Sequence, residues 1–417
     1  MKFIHLADLH LGKSIHGVSL IDNRDQVVWV ERFLETVDKI KPDAIVIAGD
    51  VYDRSAPAGE AVELFDHMLT ELEKNKIPVL MVAGNHDSGQ RLSFAGNILA
   101  KQNIHIAGKL ESELVHIELN DEFGNVTFWL MPYLFPALVA DKLSDESIKD
   151  YDTAIRKMIA EQDIDFSQRN VMIAHQNVVA DGKTVEFGGS ESMVGGVGQV
   201  DYTAFDGYDY VALGHIHSSY HVGRKSVRYA GSPLCYHFDE IKQPKKGPIL
   251  VTLKEKNREA ELETLVIEPL HKMREIKGSY EDVKKELEDN RYAEEYLRVV
   301  ITDRRISPEI SEFIRTLCKN RNSIVMELVS EYREHGITEW ADRESRNGSK
   351  PVEEYFEELY IQRNYQTEPD DKDRSLFRFI GEQVRHADEA KKNSEPDERE
   401  VDKLLDFLLK QEEESDK

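Results

Sequence analysis

Residues 3–10 read Phe-Ile-His-Leu-Ala-Asp-Leu-His, a largely apolar run of strand length that leads directly into Asp8 and His10. Four later apolar runs also end in polar side chains, and they span residues 44–48, 79–83, 171–174 and 210–213. The polar residues that follow the five runs are Asp8, His10, Asp50, Asp53, Asn85, His86, Asp87, His175, His215 and His217. Because ligands gather beyond the carboxyl ends of strands in open α/β sheets, we predict that these side chains converge on one site.

Helices are predicted between the first three runs, because apolar residues recur there at spacings of three and four. The residues are Val27, Val30, Phe33, Leu34, Val37 and Ile40 in the first interval, and Leu64, Phe65, Met68, Leu69 and Leu72 in the second. We therefore expect the five runs to be buried strands of one α/β sheet, within a layered α/β domain over about residues 1–265. A second, more antiparallel sheet is expected from residues 126–131, 226–230 and 249–253.

The chain beyond about residue 265 is predicted to hold a small α+β domain and a helical tail. Short strand patterns alternate with two helical patterns over about residues 266–335. These strand patterns cover residues 273–276, 296–301 and 324–329. Residues 336–417 begin with a polar linker at 336–350 and continue as a charged, helical tail. The apolar clusters of this tail lie at residues 355–360, 376–380 and 404–409.

Composition is typical of a soluble protein with two or three domains, since the chain has 417 residues and a hydrophobic fraction of 40%. No stretch approaches the roughly 18 apolar residues of a membrane span, and the start lacks the apolar core of a signal peptide. We therefore expect a cytoplasmic location. The two cysteines, Cys235 and Cys318, indicate neither a disulfide framework nor a thiolate zinc site.

The formal net charge of -25 is unlike the basic footprint of most nucleic-acid binders. Much of the acid lies in the C-terminal third, as in residues 412–414, and a metal site supplies a positive field of its own. Local cations therefore matter more than the total charge. Arg54 and Arg91 lie just beyond two of the polar sets, and we predict that they contact phosphate. A further basic cluster consists of Lys242, Lys245 and Lys246.

The convergence of all five polar sets favours a metal site over isolated loop residues. Imidazole, carboxylate and carboxamide ligands without thiolate suit Mn²⁺ best, with Fe, Zn²⁺ or Mg²⁺ as alternatives. Two ions fit if Asp50 bridges them. Asp8, His10 and His217 would complete one shell, and Asn85, His175 and His215 the other. Such a pair lowers the pKa of a water and clamps the oxygens of a phosphate.

The ordered polar blocks resemble those of the calcineurin-like metallophosphoesterase superfamily. The blocks are Asp8-Leu-His10, Gly49-Asp50, Gly84-Asn85-His86-Asp87, His175 and Gly214-His215-Ile-His217. Residues 3–12, the Gly-Asp-Val-Tyr-Asp-Arg block at 49–54 and the Tyr-Ala-Gly-Ser-Pro block at 229–233 further resemble bacterial SbcD-type nuclease subunits. The resemblance implies a layered β-sandwich flanked by helices, with a small capping domain and a helical tail.

For function, the resemblance implies a metal-dependent DNA nuclease that works in DNA repair and recombination. It implies exonuclease and endonuclease activity on double-stranded ends and hairpins. Residues 266–335 would then form a cap that contacts DNA, and residues 336–417 would dock on an SbcC-like SMC-type ATPase. The resemblance also implies a homodimer within a heterotetramer. The lack of an apolar stretch of membrane-spanning length predicts no membrane contact.

The resemblance implies the same two metal shells and a catalytic role for His86. Because neither shell requires His86, we expect its imidazole to donate a proton to the departing oxygen. Asp53 stands where some relatives carry a second active-site histidine, so we expect it to orient His86 or a water. Asp87 is expected to cap a helix or to orient a neighbouring ligand.

Two other functions stay open at this point. One is a phosphoesterase for small phosphodiesters or nucleotides, and the other is an interaction subunit whose metal site supports structure. The apolar clusters of the tail favour the nuclease, because partner helices bury such stripes in a groove. A purely structural site would need fewer residues and a closed shell, which leaves no role for His86.

Overall fold

The computed structural model describes residues 1–180, 198–243, 245–289, 293–332 and 374–375. The chain divides into two compact units, Met1–Tyr332 and Arg333–Lys417. The predicted linker and the apolar clusters of the tail lie outside the described residues. Within the described ranges, no helix combines the length and the apolar character needed to cross a membrane.

The first sheet has six strands and contains the strand that opens the chain. Its strands, in spatial order, are Glu261–Thr264, Ile249–Thr252, Lys2–Leu6, Ala44–Ala48, Val79–Val82 and Ile104–Ala107. Lys2–Leu6 pairs in parallel with Ala44–Ala48 and antiparallel with Ile249–Thr252. The central strands are apolar at nearly every position, as expected for parallel strands that are covered on both faces.

The second sheet also has six strands, three of its neighbouring pairs being parallel and two antiparallel. In spatial order they are Tyr220–Val222, Arg224–Tyr229, Tyr210–Gly214, Arg169–His175, Gly124–Met131 and Val115–Asp121.

This division corrects two predictions. Residues 171–174 and 210–213 belong to the second sheet instead of sharing one sheet with the opening strand, and residues 249–252 belong to the first. The second sheet is therefore mixed, like the first, instead of mainly antiparallel. The reason is that buried strands of either sheet carry the same apolar pattern, so periodicity does not reveal the pairing partner.

The two sheets face each other across an apolar core. Phe3 of the first sheet contacts Phe128 and Tyr210 of the second edge-on, with ring centroids 5.4 and 5.7 Å apart. Successive residues of a strand point to opposite faces. Ile4 therefore points to the opposite face of the sheet. There it belongs to the same buried apolar cluster as Trp29 of the helix Asp25–Ile40.

Helices cover the outer faces, which gives a layered sandwich. Asp25–Ile40 and Gly59–Lys74 pack on the first sheet, and Tyr151–Ala160 packs on the second. The first two confirm the helices predicted from apolar spacing. The remaining helices of this part are Gly89–Leu92, Gly96–Leu99 and Pro136–Leu143, with 3₁₀ turns at Ala100–Gln102, Tyr202–Phe205 and Phe238–Lys242. Short paired strands are Ser14–Ile15 with Val18–Ser19, and Asn177–Val179 with Gln199–Asp201.

A three-stranded parallel sheet follows, with a core of its own. Its strands are Lys272–Gly278, Glu295–Ile301 and Ile324–Ser330, and the helices Tyr280–Glu288 and Pro308–Lys319 alternate with them. All three predicted strands and both predicted helices are confirmed. This small sheet packs on the start of helix Asp25–Ile40, where Asp25 accepts hydrogen bonds from the Tyr296 hydroxyl and from His271 Nδ1.

Candidate metal centre

The predicted ligands lie where strands of both sheets end, on tight turns. Four of them adopt left-handed backbone: φ is 54° at Asp8, 42° at His10, 51° at Asp50 and 100° at His215. Such backbone costs a non-glycine residue about 1–3 kcal/mol and clusters at functional sites. The turns support one another, because Asp8 N–H donates to Gly49 O and His10 N–H to Asp50 O.

Glycine is required at positions 49 and 84 because the turns that carry Asp50 and Asn85 approach each other closely. Gly49 has φ 85°, and a Cβ there would lie 2.3 Å from His175 Nδ1. A Cβ on Gly84 would lie 2.1 Å from Asp50 Oδ1. Any side chain at either position would therefore displace a predicted ligand.

Asp50 lies between two groups of ligand atoms. Its Oδ2 is 3.6 Å from His10 Nε2 on one side and 3.4 Å from His175 Nε2 on the other. His10 Nε2 is in turn 3.0 Å from His217 Nε2. Asp8, His10 and His217 have ligand atoms close enough to hold one ion, as do Asp8, Asp50 and His175.

The second group includes a carboxamide, as predicted for Asn85. Asn85 Oδ1 is 2.9 Å from His175 Nε2 and 3.1 Å from His215 Nδ1. The two rings belong to adjacent strand ends of the second sheet, whereas Asn85 follows a strand of the first. The structure therefore brings together all seven predicted ligands at the joint edge of the two sheets.

The donor set fits divalent cations. His175 Nδ1 donates to Ala48 O at 2.8 Å, so Nε2 is the ring nitrogen that faces the ligand group. Asp8 Oδ1 accepts from His215 N–H at 2.8 Å, while the buried Oδ2 has no hydrogen-bond partner in the described part of the chain. A buried carboxylate oxygen without a donor is unfavourable unless a cation compensates it.

Burial and neighbouring charges set the protonation states of the predicted ligands. Burial raises the pKa of Asp8 to about 6, although His175 and His217 oppose the shift. At Asp50 burial is outweighed by His175 and His10, which hold the pKa of that carboxyl well below its usual range. Burial keeps the pKa of His10 well below its usual range, so the ring is neutral. Burial opposes protonation of His175, but Asp50 and Asp8 outweigh it and raise the pKa of that ring to about 9. A bound ion would take the place of the His175 proton, since metal ligands must be deprotonated.

His86 lies beside the cluster and contacts both Asp50 and His10. Its backbone N–H donates to Asp50 Oδ1 at 2.9 Å, and its ring meets the His10 ring edge-on at 4.8 Å. Its Nδ1 donates to the backbone carbonyl of Asp53 at 3.0 Å. His86 also lies within ligand distance of His10 and Asp50, so the position permits either proton transfer or ligation.

Asp53 orients His86 through its backbone carbonyl, whereas its carboxylate faces another way. Asp53 Oδ1 is 2.7 Å from Lys13 Nζ and 3.6 Å from His10 Nδ1. The carboxylate is therefore placed to support His10.

Asp87 joins the turns of two neighbouring ligands. Its carboxylate accepts from the backbone N–H groups of Val51, Tyr52 and Gly84 at 3.0–3.1 Å. The helix that follows has Ser88 at its N-cap position, so Asp87 does not cap it. Asp87 instead holds the turn of Asp50 against the turn of Asn85.

The two predicted phosphate contacts lie on the rim. Arg54 is largely exposed, with Nε 3.8 Å from Asp53 Oδ2, and Arg91 donates to Ser55 O at 2.8 Å. Neither arginine has a described contact with a predicted ligand. Arg54 lies on the segment that leads out of the Asp50 turn, and Arg91, from the helix Gly89–Leu92, contacts this segment at Ser55.

Sequence reasoning missed Glu240, a fully buried carboxylate whose Oε1 is 3.5 Å from His217 Nδ1. It also placed Lys246 in a basic cluster with Lys242 and Lys245, whereas the side chain is only 11% exposed and pairs with Glu240. The only local signal was the position of Glu240 between apolar Phe238 and Ile241, which is weak on its own.

The facing sheets and the His, Asp and Asn ligands at their joint edge define a calcineurin-like phosphoesterase. Residues 1–219 match the family model described as calcineurin-like phosphoesterase, and residues 269–364 match a model described as type 5 capsule protein repressor C-terminal domain. The chain is 34% identical over 289 residues to the D subunit of nuclease SbcCD from Staphylococcus epidermidis, covering 68% of this chain and 74% of the relative. Within the phosphoesterases, the chain belongs to the SbcD family, the D subunits of nuclease SbcCD.

Two further comparisons were found. The SbcCD nuclease of Staphylococcus saprophyticus has a D subunit that is 33% identical over 304 residues, covering 71% of this chain and 77% of the relative. The crystal structure of TT1561 of Thermus thermophilus aligns with a TM-score of 0.37 at 10% identity, covering 63% of this chain and 98% of the other. The family membership does not favour the alternative of a small-phosphodiester enzyme.

Proposed function

We propose that the chain cleaves DNA phosphodiester bonds at a pair of divalent ions, Mn²⁺ foremost, that share Asp50. The observation that carries this proposal is the position of Asp50 Oδ2 between His10 Nε2 and His175 Nε2, at 3.6 and 3.4 Å. A carboxylate between two ligand groups can be shared by two ions about 3.5–4 Å apart, which is the spacing of two-metal hydrolytic sites.

The residues around this carboxylate have distinct roles. Asp8, His10 and His217 would hold one ion, and Asn85, His175 and His215 the other, with Asp50 common to both. When bound, such ions lower the pKa of an attacking water and neutralise charge on the phosphate.

His86 supplies the proton that the leaving oxygen needs, which metal ions do not provide. Its Nδ1 proton is held by the Asp53 carbonyl, so the protonated ring presents its second proton on Nε2. That proton goes to the sugar oxygen as it leaves phosphorus.

The substrate is a DNA end or hairpin, and the chain works with a second protein. The relatives are named as one subunit of a two-part nuclease, and this supports an SbcC-like SMC-type ATPase as partner. We assign residues 266–335 as a cap that contacts DNA beside Arg54 and Arg91. Residues 336–417 dock on the ATPase, and two copies of the chain form a dimer within a heterotetramer.

The proposal is tested with the full chain, alone and coexpressed with the ATPase. Substrates are a blunt DNA duplex, a DNA hairpin and a small chromogenic phosphodiester, each assayed with Mn²⁺ and with EDTA. We expect Mn²⁺-dependent cleavage of both DNAs, lost in Asp50→Asn. Hydrolysis of the chromogenic diester without cleavage of either DNA, with the ATPase present, would contradict the nuclease assignment.

A further inference from the structure

A buried ion pair lies directly behind one of the proposed metal ligands. Glu240 is fully buried, and its Oε2 is 2.6 Å from Lys246 Nζ. Ser232 Oγ and Tyr236 N–H also approach Oε2, at 3.2 and 3.3 Å. Burying two charges is unfavourable unless the geometry satisfies both, so such a pair needs an explanation beyond stability.

The lysine binds the segment that carries His217. Lys246 Nζ donates to His217 O at 3.0 Å and to Leu234 O at 3.2 Å, besides its contact with Glu240. One ammonium group therefore ties the backbone of a ligand to the loop that carries the carboxylate. These contacts explain why Lys246 is buried, although lysine side chains usually lie at the surface.

The two nitrogens of His217 face different partners. Nε2 is directed at the ligand group, 3.0 Å from His10 Nε2. Nδ1 faces Glu240 Oε1 at 3.5 Å, and in the described part of the chain neither of these two atoms has a hydrogen-bond partner. This separation is slightly longer than an N–H···O hydrogen bond, which spans about 2.7–3.2 Å.

We propose that Glu240 is a positioning residue of the metal centre, which accepts the Nδ1 proton of His217 and so directs the Nε2 lone pair at the metal. The inference rests on the proposed two-metal function. Histidine ligands commonly donate their second ring N–H to a carboxylate, which selects the tautomer, orients the ring and raises its basicity. Lys246 in turn keeps Glu240 in place and charged.

The charge state of Glu240 agrees with this role. Burial alone would raise the pKa of this carboxyl, but Lys246 and His217 outweigh it and lower the pKa to about 2. The Lys246 ammonium group, 2.6 Å from Oε2, stabilises the anionic form of Glu240. An anion polarises the N–H of His217 more strongly than a neutral amide of the same shape would.

The first test is a calorimetric titration of the full chain with Mn²⁺, comparing the wild type with Glu240→Gln. We expect the affinity of one of the two ions to fall by about 10- to 100-fold and that of the other to change little. The matched control is Glu295→Gln, which neutralises another buried carboxylate that pairs with Arg274 away from the site. This control should lower the melting temperature and leave both affinities unchanged.

Unchanged affinities in Glu240→Gln, or an equal loss in Glu295→Gln, would overturn the positioning role. A wild type that binds fewer than two ions would instead contradict the proposed function, so the two failures are distinguishable.

The second test needs no variant and decides the matter if Glu240→Gln fails to fold. In Zn²⁺-loaded wild type with ¹⁵N-labelled histidine, two rings lie 5.7 Å from Tyr236, those of His217 and His10. His10 is assigned by its additional contact with His86, at 4.8 Å, and the other ring is then that of His217. We expect a downfield, slowly exchanging proton on its Nδ1. Metal ligation through Nδ1, or an Nδ1 without a proton, would overturn the proposal.

Discussion

Asp50 combines an unfavourable backbone with a central position among the ligands. Its φ of 51° follows Gly49 at 85°, so two successive residues take the left-handed conformation. The strain is offset by hydrogen bonds between turns, including the one from His86 N–H to Asp50 Oδ1. This turn directs Oδ2 at two imidazoles instead of at solvent.

Substitution of Asp50 tests whether its carboxylate is shared by two ions. Asp50→Asn should lose both ions, because the neutral amide offers neither of them a charged ligand, whereas Asp8→Asn should lose mainly one. Metal analysis after dialysis checks this. Asp66→Asn, on the exposed face of Gly59–Lys74, is the control and should keep two ions. Two ions retained in Asp50→Asn would contradict the bridging role.

His86→Ala separates proton transfer from metal binding. We expect a loss of about 10²- to 10⁴-fold in DNA cleavage, since a positioned general acid contributes that much, with both ions and DNA affinity kept. A chromogenic diester with a good leaving group should lose less, because its oxygen departs without a proton. His67→Ala, on the exposed face of Gly59–Lys74, is the control. Loss of an ion in His86→Ala would make His86 a ligand.

At the scale of elements, the centre depends on strands of two sheets keeping their positions. The opening strand is held at its start by a cluster on the second sheet, where Asp121 accepts from the Met1 amino group and from Arg169. Arg169 makes two bonds to this carboxylate, at 2.5 and 3.0 Å, and is itself only 3% exposed. The cluster therefore connects the two sheets.

Asp121→Asn should destabilise the protein by on the order of 3 kcal/mol at pH 7, because it leaves a buried arginine without its anion. Hydrogen bonding to Arg169 holds the pKa of Asp121 well below its usual range. The stabilisation is therefore complete above the unfolded pKa of about 4 and is lost as pH falls through the folded pKa. Denaturant unfolding from pH 7 to pH 3 should show the wild type approaching the variant on acidification. If the difference in unfolding free energy between wild type and Asp121→Asn stayed constant from pH 7 to pH 3, the stabilising role of the Asp121 carboxylate would be contradicted.

At the scale of the molecule, all seven predicted ligands and the small three-stranded sheet lie in the unit Met1–Tyr332. The small sheet meets the phosphoesterase part through Tyr296, His271 and Asp25. Residues 336–417, to which the partner-binding function is assigned, can therefore be deleted without removing a predicted metal ligand.

A chain ending at Trp340 should keep Mn²⁺-dependent hydrolysis of a chromogenic phosphodiester within about twofold, because the whole ligand set remains. It should no longer copurify with the ATPase, since the three apolar clusters at 355–360, 376–380 and 404–409 are gone. The full chain is the control in the same copurification. Equal capture by the shortened chain would leave the tail as an acidic solubilising segment.

The sequence by itself predicted the residues of the candidate metal site, the helices on the first sheet, and the strands and helices of the small three-stranded sheet. These features are local, since an apolar run and the polar residue at its end are neighbours in the chain. Only the tertiary structure decided that residues 171–174 and 210–213 lie in a different sheet from the opening strand. It alone placed Glu240 behind His217 and turned the Asp53 carboxylate toward His10. The physical reason is that strand pairing and the burial of a charge depend on segments far apart in the chain, which spacing within one segment does not encode.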